Sequence, residues 1–170
     1  MSLFVNSNYD IAKIIKNNPK LISLSIVDYK CVKNPIAFDA TVPTKLEHLI
    51  IDNSNQKFHS ELISFILSLK RLRSLELINL KCKDIKNIMK NIGNYPFLQK
   101  FRVYNDQEEL ALTKKNIRNI KQCPLLEIFQ LDCNFNFVKE LQKFLIQQVK
   151  YLPFLHTIRL ELQRRICKFV

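Results

Sequence analysis

The sequence predicts an α/β solenoid of about six strand–helix units, with a parallel sheet on the concave side and helices on the convex side. Three observations carry this. A phrase of the form Leu-x-x-Leu-x-Leu recurs six times, successive copies begin 25, 26, 26, 28 and 29 residues apart, and the segments between them are apolar at helical spacing.

The copies are Leu21-Leu24-Ile26, Leu46-Leu49-Ile51, Leu72-Leu75-Leu77, Leu98-Phe101-Val103, Leu126-Phe129-Leu131 and Leu155-Ile158-Leu160. Their alternation predicts strands near 21–26, 46–51, 72–77, 98–103, 126–131 and 155–160, every second side chain facing inward. Pro19, Pro96, Pro124 and Pro153 stand two residues ahead of four copies.

The helical faces follow in order. The chain opens with Ile11, Ile14 and Ile15, and later come Leu62, Phe65, Ile66 and Leu69, then Ile85, Ile88, Met89 and Ile92. Ile117 and Ile120 continue the series, and Val138, Leu141, Leu145, Val149 and Leu152 close it. The segment from Val27 to Thr44 carries Pro35 and Pro43 and reads as a loop. Asp84, Thr113 and Asn136 stand at expected N-caps. Gly93, the only glycine, reads as a helix stop with Pro96 following. Neither strand nor helix buries its apolar face alone, so units must stack, and strands joined through helices must run parallel.

With these phrases and spacings the chain resembles the leucine-rich-repeat family over almost its whole length. The unit length and long helices are similar to the ribonuclease-inhibitor-like or cysteine-containing subclasses. The segment Cys123-Pro124-Leu125-Leu126-Glu127-Ile128-Phe129-Gln130-Leu131 lies nearest the cysteine-containing pattern. The family's Asn or Cys eight residues after the first Leu is here Tyr29, Ser54, Leu80, Asp106 and Asn134, so the expected asparagine ladder is mostly absent. The resemblance implies a binding scaffold or adaptor. It also implies, as narrower versions, a substrate-receptor module of a ubiquitin ligase or a regulator of a small GTPase.

The chain's 170 residues are 47% hydrophobic and hold no Gly/Ser linker, which fits a single domain over 1–170. The net charge is +12, from 27 Lys+Arg against 15 Asp+Glu, and the pI is about 9.6. Such a field attracts nucleic acid, acidic proteins or anionic membranes. Codon usage biased toward A and T accounts for the same lysine excess equally well, since Lys, Asn and Ile abound while Gly and Trp nearly vanish. The N-terminus lacks the basic and apolar regions of a signal peptide. No apolar run approaches the ~18 residues of a membrane span. Five cysteines, odd in number and without paired spacing, argue against a disulfide framework. An intracellular protein, cytoplasmic or nuclear, is expected. The last phrase is expected to leave an open strand edge, covered by the tail that follows it or, as the favoured readings, by a partner or by further units.

Catalytic chemistry finds no anchor. His48, His59 and His156 fall in different units, no Cys-x-x-Cys exists, and one glycine cannot build a phosphate cradle. No enzyme activity, metal or cofactor is expected. Cys31, Cys82 and Cys123 read as core residues, whereas Cys133 falls where a strand ends.

The concave strand positions are the candidate partner-binding surface. Two and four residues after each first Leu stand Ser23 and Ser25, His48 and Ile50, Ser74 and Glu76, Lys100 and Arg102, Ile128 and Gln130, and Thr157 and Arg159. Just beyond lie Asp28, Asp52, Asn79, Tyr104, Asp132 and Glu161. Both signs mixed with apolar and aromatic residues fit a protein partner better than a nucleic-acid groove. The lysine excess falls on the convex helices. Its densest patch, Lys114, Lys115, Arg118 and Lys121, is expected on one helix surface. That patch suits RNA phosphates or an acidic neighbour, so a basic subunit of a ribonucleoprotein or other large complex is the alternative function.

Overall fold

Each Leu-x-x-Leu-x-Leu phrase runs into a strand, and the strands pair in chain order. The computed structural model describes residues 1–6, 11–27, 45–53, 60–110, 112–134 and 138–161. Within them lie β1 (Ser2–Asn6), α1 (Ile11–Asn17), β2 (Ser23–Val27), β3 (His48–Asp52), α2 (Ser60–Ser68), β4 (Ser74–Ile78) and α3 (Cys82–Lys90). Next come β5 (Lys100–Glu109), α4 (Lys114–Ile117), β6 (Ile128–Asn134), α5 (Val138–Val149) and β7 (Thr157–Glu161). Short 3-10 turns follow α3 at Ile92–Asn94 and α4 at Arg118–Gln122. All seven strands form one parallel sheet ordered β1-β2-β3-β4-β5-β6-β7.

The sheet has seven strands rather than six, and the chain opens with a strand rather than a helix. Leu3 and Val5 of β1 pair with Leu24 and Ile26, so β1 carries only the last two apolar positions of the phrase. The first position would precede Met1, which is why the phrase is not recognisable there. The other strands begin about two residues later than the phrase, because its first Leu belongs to a turn.

The turn explains the prolines. The N–H groups of Leu21, Leu98, Leu126 and Leu155 donate to the carbonyls of Asn18, Tyr95, Cys123 and Leu152, three residues back, at 2.9 to 3.1 Å. The proline takes the second turn position, where its fixed φ is already correct. Lys70 replaces proline in the Leu69–Leu72 turn, and that bond is the longest of the set at 3.4 Å. A second contact locks unit to unit. The carbonyl of Ile22 accepts the N–H groups of both Glu47 and His48, and Glu47, Arg73, Gln99 and Glu127 repeat this toward the next unit.

The apolar residues of the phrase build the core. Leu24, Leu49, Leu75, Phe101 and Phe129, and beside them Ile26, Ile51, Leu77, Val103 and Leu131, are all at most 1% exposed. They cluster with Ile11, Ile15, Leu62, Ile66, Ile85, Ile88, Met89, Ile117, Ile120 and Leu145, so the described helices cover the same sheet face. Each such burial stabilises the fold by about 1.5–3 kcal/mol before entropy. Phe101 stacks on Phe129 across the strands with centroids 5.9 Å apart. The last unit differs: Leu155 and Leu160 are half-buried and Ile158 is 37% exposed, because no described strand follows β7.

Several local expectations need correction. The 114–122 segment is not one α-helix but a single α-turn passing into a 3-10 turn. Asn119 reaches out of it to donate from Nδ2 to the Lys90 carbonyl. At the start of α3 the N-cap is Lys81, and Asp84 sits inside the first turn, where a carboxylate meets the positive end of the helix. Thr113 does precede α4, and its N–H donates to Asn116 Oδ1 at 3.0 Å, half of a capping box. Gly93 has no positive φ. It is small for reasons of space, since a Cβ there would fall 1.9 Å from Gln122 Oε1 of the next unit. Asn136 and the Val27–Thr44 loop reading lie outside the described residues, apart from the strand residue Val27 itself.

Asparagine recurs one residue before Ser54, Leu80 and Asp106. Asn53, Asn79 and Asn105 each stand seven residues after a first Leu, and Asn53 and Asn105 are 3% and 1% exposed. Asn105 Nδ2 donates to the Leu80 carbonyl at 2.7 Å, and Asn79 Oδ1 accepts the Asp106 N–H at 3.2 Å. Asn79 has φ 54°, a left-handed conformation that asparagine tolerates better than most residues.

Candidate functional site

Strand residues that alternate with the core form three rows across the helix-free face. The pairing register aligns Ser23, His48, Ser74, Lys100, Ile128 and Thr157 in the first row. Ser25, Ile50, Glu76, Arg102, Gln130 and Arg159 make the second, and Val27, Asp52, Ile78, Tyr104, Asp132 and Glu161 the third. His48, Lys100, Tyr104 and Arg159 are exposed; Ile50, Glu76, Arg102, Gln130 and Asp132 are half-buried between their neighbours. The backbone of Glu161 takes its place beside Asp132, while its side chain lies outside the described residues. Ile78, not Asn79, holds the third row, because Asn79 lies past the end of β4 with φ 54°. Asp28 lies outside the described residues.

Charge concentrates toward the C-terminal half of this face. Arg102 Nη1 donates to Glu76 Oε1 at 3.0 Å, an ion pair between directly opposed residues of adjacent strands. With both side chains partly in water, such a pair is worth about 0–1 kcal/mol and serves chiefly to hold the guanidinium in place. Lys100, Tyr104 and Arg159 reach solvent. Toward β1 the face becomes small and uncharged: Ser23 and Ser25 carry no charge, and Phe4, opposite Ser25, is 65% exposed. Sequence reading missed Phe4; the Leu3–Val5 alternation around it was the available signal. A further cluster lies at the leading edge of the strands, where Arg73 Nε meets Glu47 Oε2 at 3.1 Å and Arg71 approaches to 4.0 Å.

The basic patch occupies the other side of the molecule and has company there. Lys115, Arg118 and Lys121 line an open groove of about 580 Å³ with Phe144, Gln148 and Tyr151. The latter three recur at four- and three-residue spacing along α5 and its exit, the pattern that could have revealed them. Lys121 Nζ and Lys150 Nζ lie 5.6 and 4.9 Å from the Tyr151 ring centroid. The side chain of Lys114 lies outside the described residues.

Groups with chemical potential elsewhere are locked in structural roles. The Tyr95 hydroxyl donates to the Ile66 carbonyl at 2.8 Å, and the Cys123 thiol to the Ile92 carbonyl at 3.3 Å. Each joins the residue three before one first Leu to the unit before. Burial pushes the Cys123 thiol up to about 12 and lifts the Tyr95 hydroxyl well above its ordinary value, with Cys123 adding to the latter. A thiol so protonated is no nucleophile at neutral pH. Cys82 packs half-buried against the core; Cys31, Cys167, His59 and the Cys133 side chain lie outside the described residues. His48 and His156 stand in separate units, and His156 Nδ1 lies 2.9 Å from Thr157 Oγ1.

Among the described residues no group of three His, Cys, Asp or Glu side chains could hold a metal ion, and no helix is long and apolar enough to cross a membrane. No family model matches the chain, and no curated protein matches it either.

Proposed function

We propose that this chain is a leucine-rich-repeat scaffold, curved with its sheet on the concave side, that binds a protein partner on the helix-free strand face. The observation that carries this is the register itself. Strands β2 to β7 of the parallel sheet align the side chains of three rows, and no described helix covers them. Rigid backbone presentation lowers the entropy cost of binding, and aromatic or arginine anchors with apolar neighbours supply most interface energy. Tyr104, Ile50 and Ile128 are the apolar anchors, while Lys100, Arg102, Asp132, Arg159 and Glu161 set register and charge complementarity. The reading is non-enzymatic and needs no cofactor. It places the partner across β3 to β7, where both charge signs and the exposed aromatic coincide.

Affinity purification of the full chain with quantitative mass spectrometry tests it. Lys100→Glu combined with Tyr104→Ala is expected to lose the stoichiometric partner while keeping the thermal midpoint, since both side chains are exposed. Lys86→Glu on α3 is expected to keep it. Equal partner recovery from the strand-face variant would remove this assignment.

A further inference from the structure

We propose that the groove between the α4 turn and α5 binds single-stranded nucleic acid, with phosphates on Lys115, Arg118 and Lys121 and a base against Tyr151. This site is separate from the strand face and independent of the function proposed for it.

Three observations converge on that chemistry. The groove is cationic on one wall: Lys115, Arg118 and Lys121 are exposed, and no carboxylate is among its described lining residues. It is aromatic on the other, with Tyr151 50% exposed and Phe144 beside it. Between them lies Gln148, a residue only 9% exposed that lines the groove. A side-chain amide can both donate and accept a hydrogen bond. The edge of a nucleobase offers both.

Alternatives fit less well. An acidic peptide satisfies the cations but leaves the aromatic wall without a role. A duplex presents no exposed base face, and a groove of about 580 Å³ admits a ligand of one or two nucleotides rather than a helix. Cationic track plus aromatic platform is how proteins hold unpaired strands. The cations over Tyr151 are consistent with this. A base that stacks on the ring displaces an ammonium from it, and the adjoining phosphate is where that ammonium goes.

Fluorescence anisotropy with the full chain and a labelled twelve-residue oligouridylate, from 50 to 200 mM KCl, tests the proposal. Replacing Lys115, Arg118 and Lys121 together by Gln is expected to make the log–log salt slope shallower by about 2, since each single-strand phosphate contact contributes about 0.7. Tyr151→Ala is expected to weaken binding about 5- to 150-fold, and Tyr151→Phe to restore it, as for one stacked base. Uridine 5′-monophosphate as competitor separates the two sources of this chemistry. Competition identifies a free-nucleotide pocket and its absence a strand site, and both support the groove. The proposal falls if Tyr151→Ala leaves affinity unchanged, or if polyglutamate displaces the oligonucleotide as well as unlabelled oligouridylate does. It also falls if Gln at Lys16, Lys20 and Lys83, outside the groove, flattens the salt slope equally.

Discussion

The two faces of one strand live under different rules, and β4 displays both. Leu75 and Leu77 are fully buried, whereas Ser74 and Glu76 between and before them are only half-covered. Across the sheet the buried positions accept aliphatic or aromatic residues alone, from Leu24 to Phe129. The open positions hold serine, histidine, isoleucine, both charge signs and tyrosine. Packing thus constrains one face tightly while leaving the other available to recognition. What is common to every unit makes the fold, and what varies among units is where function can reside.

The sharpest way to break that contrast is to cut the packed face. Phe101→Ala removes a fully buried ring and its stack on Phe129, and should cost about 3–5 kcal/mol in denaturant unfolding. A loss below about 1 kcal/mol would mean the packed face is not the stabilising one. Next comes Tyr95→Phe, which keeps the ring and removes one of two hydrogen bonds on the Ile66 carbonyl, the Leu69 N–H remaining at 3.2 Å. About 0.5–1.5 kcal/mol should be lost, measured the same way.

Alkali probes the same inter-unit contacts. The Cys123 thiol is held protonated in the fold, pushed from 9.0 to about 12, and the Tyr95 hydroxyl is shifted in the same direction from 10.0. The unfolded chain therefore binds fewer protons in this range, and stability must fall as pH rises. The Cys123 contribution is complete below pH 9 and is lost progressively toward pH 12. In urea midpoints measured across that window, Cys123→Ala should show a shallower alkaline decline. An unchanged slope would assign the decline to other groups.

The smallest effect belongs to the open face. Arg102→Ala deletes a partly exposed ion pair and should change stability by only about 0–1 kcal/mol, against the several expected one residue away at Phe101. A larger loss, seen by the same denaturation, would make Arg102 a structural residue and weaken its use as a binding determinant.

Most of the architecture was legible because the phrase encodes burial directly. The strand alternation, the parallel order and the helical faces at Ile85, Ile88, Met89, Ile117 and Ile120 all follow from where apolar residues recur. β1 was not legible, since Leu3 and Val5 alone make too short a pattern. Neither was the break after α4, because the stripe at Ile117 and Ile120 fits an α-turn and a 3-10 turn equally well. Asparagine was sought eight residues after each first Leu and recurs instead at seven, as Asn53, Asn79 and Asn105. Of the candidate surfaces, the strand rows could be listed by counting. The groove could not, because Lys115 and Tyr151 lie 36 residues apart and meet only when α4 and α5 pack side by side.

By itself the sequence determined which residues are buried and in what order the strands pair, because a two-residue alternation and a helical stripe each expose one solution to water. Only the tertiary structure decided which neighbours those residues meet. It set Glu76 against Arg102, brought the Tyr95 hydroxyl and the Cys123 thiol onto the carbonyls of the preceding unit, and enclosed Gln148 between cations and an aromatic ring. Hydrophobic burial is non-directional and can be read as a pattern. Hydrogen bonds, ion pairs and grooves depend on distance and angle between units, which no spacing along one chain contains.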